Sequence, residues 1–195
     1  MINLSKRREP FEFMLYLAMI GSGILFLGVM FFLIAKEIMN NAQVSVVIPR
    51  FFWFSTWAIL LSSATLYWAN KAFQVERFRS YRLNLIVTFL LGIAFIVLQF
   101  LGWGELLNKN IRMNNDTGGQ FIYILSGLHI FHTIGGLIAL SIVNRDAIKN
   151  LNYVDTFVYS VNPPNQLKIK LISIYWHFID ILWILLFFFL LYHAT

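Results

Sequence analysis

The sequence predicts an all-α integral membrane protein, a bundle of five transmembrane helices forming a single domain over residues 1–195. Three observations lead there. Of the 195 residues, 59% are hydrophobic and only 12% charged, against roughly 45–50% and about 25% in soluble domains. The mean hydropathy is +0.70. The apolar residues also fall into five blocks, each long enough for the ~20 residues that a membrane-crossing helix needs. Helices close their own backbone hydrogen bonds, which lipid demands of any spanning segment.

Taken in order, the spans are expected over residues 12–35, 51–70, 83–106, 120–144 and 169–193. The first is uncharged from Met14 to Ala35. It is too long for a cleaved signal and no small-residue cleavage pattern follows, so it is expected to stay as an anchor. The second is uncharged from Phe51 to Asn70, with Trp53 and Trp57 at one end and Tyr67 and Trp68 at the other. The third ends around Glu105, close to Trp103. These aromatics read as interfacial belts. The fourth carries His129 and His132, the fifth His177 and Asp180. Between them Asn162-Pro163-Pro164-Asn165 reads as a turn that keeps the fifth span from starting early.

Basic residues set the orientation. Lys6, Arg7, Arg8, Lys71, Arg77, Arg79, Arg82, Arg145, Lys149, Lys168 and Lys170 fall on one side, and only Lys36, Arg50, Lys109 and Arg112 on the other. The positive-inside rule then puts the N-terminus in the cytoplasm and the C-terminus on the outer, periplasmic side. The net charge of +6 reads as contact with anionic lipid rather than nucleic acid, because the bases lie between apolar runs. There is no cysteine, which excludes thiolate copper centres, iron–sulfur clusters, thioether-linked haem and disulfides.

Ionisable groups deep in a span are costly and carry functional information. His129 and His132 are spaced i, i+3, as are His177 and Asp180, so each pair shares a helix face. A rise of ~1.5 Å per residue brings His132 level with His177 and His129 level with Asp180 in antiparallel spans. Three imidazoles and a carboxylate suit a zinc or iron site. They suit equally an interhelical hydrogen-bond network to which Trp176 donates its indole N–H. Crowding on two touching helices leaves little room for haem, which favours the network. Small residues suggest close packing at Ala58 and Ser62, at Gly135 and Ala139, and along Gly21, Ser22, Gly23 and Gly28. A proton-coupled transporter is disfavoured: Asp180 is the single carboxylate well inside, and Pro10, Pro49, Pro163 and Pro164 all lie outside the spans.

The segment Tyr175-Trp176-His177-Phe178-Ile179-Asp180-Ile181-Leu182-Trp183 closely resembles the YWHFVDVVW motif of subunit III of haem–copper terminal oxidases. Ser126-Gly127-Leu128-His129-Ile130-Phe131-His132-Thr133-Ile134-Gly135 resembles that family's TGLHGLHVxxG segment. Thr56 to Thr65 is more loosely similar to its T-x-LLxSSxT helix, and Leu91-Gly92 and Gln99 add weaker likenesses. The resemblance covers nearly the whole chain in the five-helix bacterial form. It implies a multi-pass subunit of the bacterial inner membrane that holds no cofactor itself, haem and copper residing in partner subunits I and II. By itself such a chain has no catalytic centre. Within a proton-translocating cytochrome c oxidase it packs on subunit I, supports proton uptake and stability in turnover, and binds phospholipid, in some cases within a larger respiratory supercomplex.

The chain departs from the family where long forms carry a Ser-Glu pair and it has Ser22-Gly23, so the role of that Glu is not carried over. Lys170 likewise stands where the family often has Glu. The two leading helices that wall the lipid cleft of long forms are absent, which leaves Arg77, Arg79 and Arg82 as candidate head-group contacts. Two alternatives stand beside this reading. One is subunit III of a quinol oxidase, or the companion subunit of nitric oxide reductase. The other is an autonomous membrane metal or haem enzyme using His129, His132, His177 and Asp180.

Overall fold

A computed structural model describes residues 9–40, 46–113, 117–149 and 153–194. Among these residues the chain forms six α-helices: α1 Glu9–Asn40, α2 Arg50–Gln74, α3 Phe78–Asn108, α4 Thr117–Lys149, α5 Tyr153–Val161 and α6 Pro163–Tyr192. Four of them (α1, α3, α4 and α6) are long and apolar enough to cross a membrane. The more polar α2 is the fifth candidate. Its 25 residues extend about 37 Å at 1.5 Å each, more than a bilayer core requires.

The first four spans outrun their expected bounds at both ends, the fifth starts six residues earlier and ends one residue sooner, and two connections differ in kind from the expectation. The basic link after the second span is not a loop over 71–82 but a turn at 75–77. Glu76 there adopts a left-handed backbone, φ 58°. The N–H groups of Glu76 and Arg77 turn back to the carbonyls of Phe73 and Ala72 at 3.2 and 2.9 Å, a closure that satisfies a helix end and permits an immediate reversal. The second difference lies in Asn162-Pro163-Pro164-Asn165, which starts α6 rather than delaying it. Proline fits the first helical positions because its fixed φ suits the helix and its missing N–H is unpartnered there anyway.

The short helix α5 was not expected. It is held by the first turns of α6: Asn165 Nδ2 donates to the Tyr159 carbonyl at 3.1 Å and Gln166 Nε2 to the Ser160 carbonyl at 2.9 Å. These bonds satisfy carbonyls at the end of α5 that no further turn reaches. Asp146 at the end of α4 accepts from Lys168 Nζ at 2.8 Å and from the Tyr159 hydroxyl at 3.4 Å. Burial, and then the Asp146 carboxylate, push the Tyr159 hydroxyl up to about 12.

Helices α2, α3, α4 and α6 pack in a ring, each against the next, with α2 and α3 in the most extensive contact. One core layer is built on Phe52, Phe95, Trp183 and Leu186, the other on Leu66, Leu85, Leu140 and Trp176, and Ile96 packs against both. Helix α1 rests on the outside against α4 and α6. Among its described side chains only Phe26, Met30 and Leu33 are buried. At one end Lys170 of α6 pairs with Glu12 of α1 at 2.8 Å. At the other the N–H of Val46, just before α2, donates to the His193 carbonyl at 3.0 Å. These two contacts put the basic connections at one end of the bundle.

Helix α2 begins without a side-chain cap of its own. Glu105 from the end of α3 supplies one, accepting the Arg50 N–H at 2.8 Å while also holding Lys109 at 3.1 Å. An acceptor at a helix N-terminus satisfies an orphan donor and meets the positive end of the helix dipole.

Candidate functional site

A row of buried and part-buried polar groups forms a seam between α2 and α6, and the two motifs of those helices turn out to be its two halves. Trp176 Nε1 donates to Ser62 Oγ at 3.1 Å, and Trp183 Nε1 to Thr56 Oγ1 at 3.0 Å. His177 Nδ1 lies 2.8 Å from Ser63 Oγ. Asn70 Nδ2 donates to Ser173 Oγ at 2.7 Å. From Thr56 through Ser62 to Asn70 the α6 partners run back from Trp183 through Trp176 to Ser173, as antiparallel helices require. Thr65 completes the α2 motif by bonding Thr88 of α3 at 2.8 Å.

The two hydroxyls that accept from the indoles suit this role because each is anchored before it is used. Thr56 donates to the Phe52 carbonyl at 2.8 Å and Ser62 to the Ile59 carbonyl at 2.7 Å, leaving oxygen lone pairs aimed at the neighbouring indoles. The same device joins α3 to α4: Trp103 Nε1 donates to Ser126 Oγ at 2.9 Å, and Ser126 bonds back to Ile122. Trp103 is therefore a bundle-bracing side chain rather than a member of an interfacial belt. Trp53, Trp57, Tyr67 and Trp68 are exposed, as belts require.

Trp176 sits at a close approach of three helices. Its ring lies against Gly92 of α3 and Gly136 of α4, where a Cβ would come within 2.7 and 3.2 Å of it. Gly136 is thus the small residue that matters on α4, whereas Gly135 faces outward. On α1 the expected close packing is absent: a Cβ at Gly21, Gly23 or Gly28 meets nothing within 4 Å. Gly28 borders a cleft that α1 shares with Gln120, Phe121 and Ile124 of α4.

The intramembrane ionisable groups expected to face one another across α4 and α6 are only partly brought together. His177 Nδ1 and Asp180 Oδ2 are 3.8 Å apart. His132 turns instead to α1. Its Nδ1 donates to its own Leu128 carbonyl at 2.9 Å, which leaves Nε2 to accept from Ser22 Oγ at 3.1 Å. His129 is fully buried beside Phe95 and Trp183, ring centroids 5.4 and 5.0 Å away, and neither nitrogen has a hydrogen-bond partner. It meets Trp183 one turn beyond Asp180 on α6, so level heights did not translate into contact. Asp180 is 2% exposed, and neither carboxyl oxygen is hydrogen-bonded. Among the described residues no three histidine, aspartate or glutamate side chains converge as a metal site would need.

Of the three candidate head-group arginines, Arg77 and Arg79 are exposed and Arg82 is half-buried, its Nε donating to the Phe78 carbonyl at 3.3 Å. Arg77 shares a cleft of about 330 Å³ with Trp68, Lys71, Ser80 and Asn84.

The Ser22–His132 bond is a hydrogen bond between α1 and α4. Ser22→Ala is expected to weaken the seating of α1 by about 0.6 kcal/mol and by no more than about 1.7, the range found for interhelical hydrogen bonds in lipid. Unfolding in mixed micelles of rising denaturant fraction measures it. A larger loss would mean that Ser22 supports more than this bond.

A family model described as cytochrome c oxidase subunit III matches residues 42–195. The chain is 30% identical over 102 residues to the probable cytochrome c oxidase subunit 3 of Mycobacterium tuberculosis (strain ATCC 25618 / H37Rv), covering 52% of this chain and 46% of that protein. It is 28% identical over 134 residues to cytochrome c oxidase subunit 3 of Bacillus sp. (strain PS3), covering 68% and 60%. It is 26% identical over 133 residues to the probable quinol oxidase subunit 3 of Staphylococcus saprophyticus, covering 68% and 61%. The chain spans about half the length of the mycobacterial relatives that it matches.

Proposed function

This chain belongs to the cytochrome c oxidase subunit III family, and from that premise we propose that it is the subunit III of a respiratory haem–copper oxidase, serving its complex without a redox centre of its own. The observation that carries the reading is the α2–α6 seam. The motif residues Thr56, Ser62, Ser63, Trp176, His177 and Trp183 bind one another, so the residues that identify the family act as scaffold. A rigid scaffold suits a subunit that braces a catalytic neighbour, subunit I, with subunit II alongside.

In this reading the basic end of the bundle faces the cytoplasm of a bacterial cell and the end of α6 faces outward. The Lys170–Glu12 and Val46–His193 contacts support one common end for the basic connections. The cleft beside Arg77 takes a phospholipid head group, its cations and the Trp68 ring suiting the lipid interface. Cytochrome c is the proposed electron donor of the complex. A quinol donor is the second reading, favoured by the likeness to the staphylococcal protein, and a copper-ligand motif in the accompanying subunit II separates the two.

The test compares the complete complex with one purified from a strain lacking this chain. The depleted complex is expected to keep its haem spectrum and its initial rate of oxygen consumption. It is then expected to lose activity faster with each turnover, while the isolated chain shows no visible absorption and no stoichiometric metal. Haem or metal retained by the isolated chain overturns the proposal in favour of the autonomous enzyme using His129, His132, His177 and Asp180.

A further inference from the structure

Asp180 lies well inside α6, about 25 Å along the axis from Pro163, with both carboxyl oxygens unbonded. Ionised, it would be an uncompensated charge far from water. A group that can shed such a charge by binding a proton does so. His177 lies one turn before Asp180 on α6, its Nδ1 2.8 Å from Ser63 Oγ of α2. The His177 imidazole has two sides. Its Nδ1 is 3.8 Å from Asp180 Oδ2, yet its side chain is 35% exposed where Asp180 is 3%.

What exposes His177 is a cleft of about 620 Å³ between α2, α5 and α6. Glu76, Gln166 and Lys170 line it toward the basic end, and Asn70, Ser173 and His177 line its inner reach. Asn70 Nδ2 donates to Ser173 Oγ at 2.7 Å beside it. Eight of the twelve residues that line this cleft carry polar side chains, enough to hold water in a space of this size. We propose that the cleft is a water-filled proton well and that Asp180 is its binding site, neutral at rest and exchanging its proton with the aqueous phase through His177. A proton taken up on one ring nitrogen while another leaves the other nitrogen keeps the imidazole neutral throughout.

The surroundings present no competing charge at that depth. Helix α2 offers the Ser63 hydroxyl, α3 is without an ionisable residue from Leu83 to Gly104, and on α4 His132 is bonded to Ser22 while His129 is enclosed by aromatic rings. Glu12 of α1 is paired with Lys170 at the mouth, and Tyr159 of α5 lies beside Asp146. The proposal is independent of the complex the chain joins, since both its parts are read on this chain in native membranes.

The lack of cysteine makes the cleft directly testable. Single cysteines replace Ile174, which lines the cleft, and Ile181, which is 65% exposed on the outer face of α6. A charged thiol reagent reacts only where water ionises the thiol, so Ile174→Cys is expected to react at least about tenfold faster than Ile181→Cys in inverted vesicles. Infrared spectra of the unmodified chain are expected to show a protonated carboxyl band that shifts within minutes in D2O and vanishes in Asp180→Asn. If that variant fails to accumulate, carbon-13 carboxyl labelling of aspartate in the unmodified chain assigns the band. Both results are required. Equal reaction at the two cysteines, as when a lipid chain fills the cleft, overturns the proposal. So does a band that is missing, insensitive to D2O or not due to aspartate.

Discussion

A Trp176→Ala chain is expected to lose about 3 kcal/mol of folding stability, at the low end of the range for removing a buried tryptophan. The low end applies because the unfolded reference of a membrane protein already sits in hydrocarbon, so little water-transfer energy is forfeited. What disappears is packing: the indole is fully buried, touches α3 at Gly92 and α4 at Gly136, and donates to Ser62 of α2. Trp183 is placed in the same way, meeting α2 at Thr56, α3 at Phe95 and α4 at His129. Trp176→Phe keeps most of the ring and loses the bond, so it is expected to recover more than half of the deficit. Denaturing-detergent titration of the purified chain gives both numbers, and an unshifted midpoint for Trp176→Ala would remove Trp176 from the centre of the fold.

Gly92→Val is the second large effect and acts by excess volume. A Cβ at Gly92 falls 2.7 Å from the Trp176 ring and 2.9 Å from Leu137. Overfilling a packed interior typically costs 1–3 kcal/mol. Valine adds three carbons against a rigid ring, so about 3 kcal/mol is expected, read as loss of chain accumulating in the membrane and a lowered titration midpoint. Gly21→Val is the matched control, since nothing lies within 4 Å of a Cβ there, and it is expected to change the midpoint by less than about 0.5 kcal/mol, as at other unconstrained surface positions. Equal effects at the two sites would mean that helix propensity, rather than the Trp176 contact, governs both.

The five long helices are legible in the sequence because apolar blocks between charges depend only on composition along the chain. Their ends are less so. Charges at Lys71 and Arg82 marked a loop where α2 and α3 in fact continue to Gln74 and from Phe78, since long basic side chains can reach water from the last turns of a helix. The helix α5 stayed hidden because its nine residues are held by side chains from the next helix, a tertiary cause. Recurrent small residues announced close packing but not which ones would meet a neighbour. Gly135 and Gly136 differ by one position, 100° around the helix, and only the backbone decides that Gly136 faces Trp176.

The same limit governs the polar groups. Spacing put His129 and His132 on one helix face, yet three residues turn that face far enough to seat one against Trp183 and the other against Ser22. Partners could not be read because serine and threonine sit unobtrusively in apolar runs and carry no periodic signal. The hydroxyls of Thr56 to Thr65 were visible as a family likeness before any of them had a physical role, and the indoles on α6 supply that role.

The polarity of α2 bears on how the protein is made. Ribosomes deliver α2 to the bilayer well before α6 exists, so for the time it takes to synthesise the remaining hundred-odd residues its hydroxyls lack their indole donors. The back-bonds of Thr56, Ser62 and Thr65 to their own helix's carbonyls are available from the moment α2 coils and lower the penalty of waiting in lipid. The seating of α2 is then gated by α6. Until α6 emerges and lays its tryptophans into those rows, α2 remains the newcomer most easily returned to water.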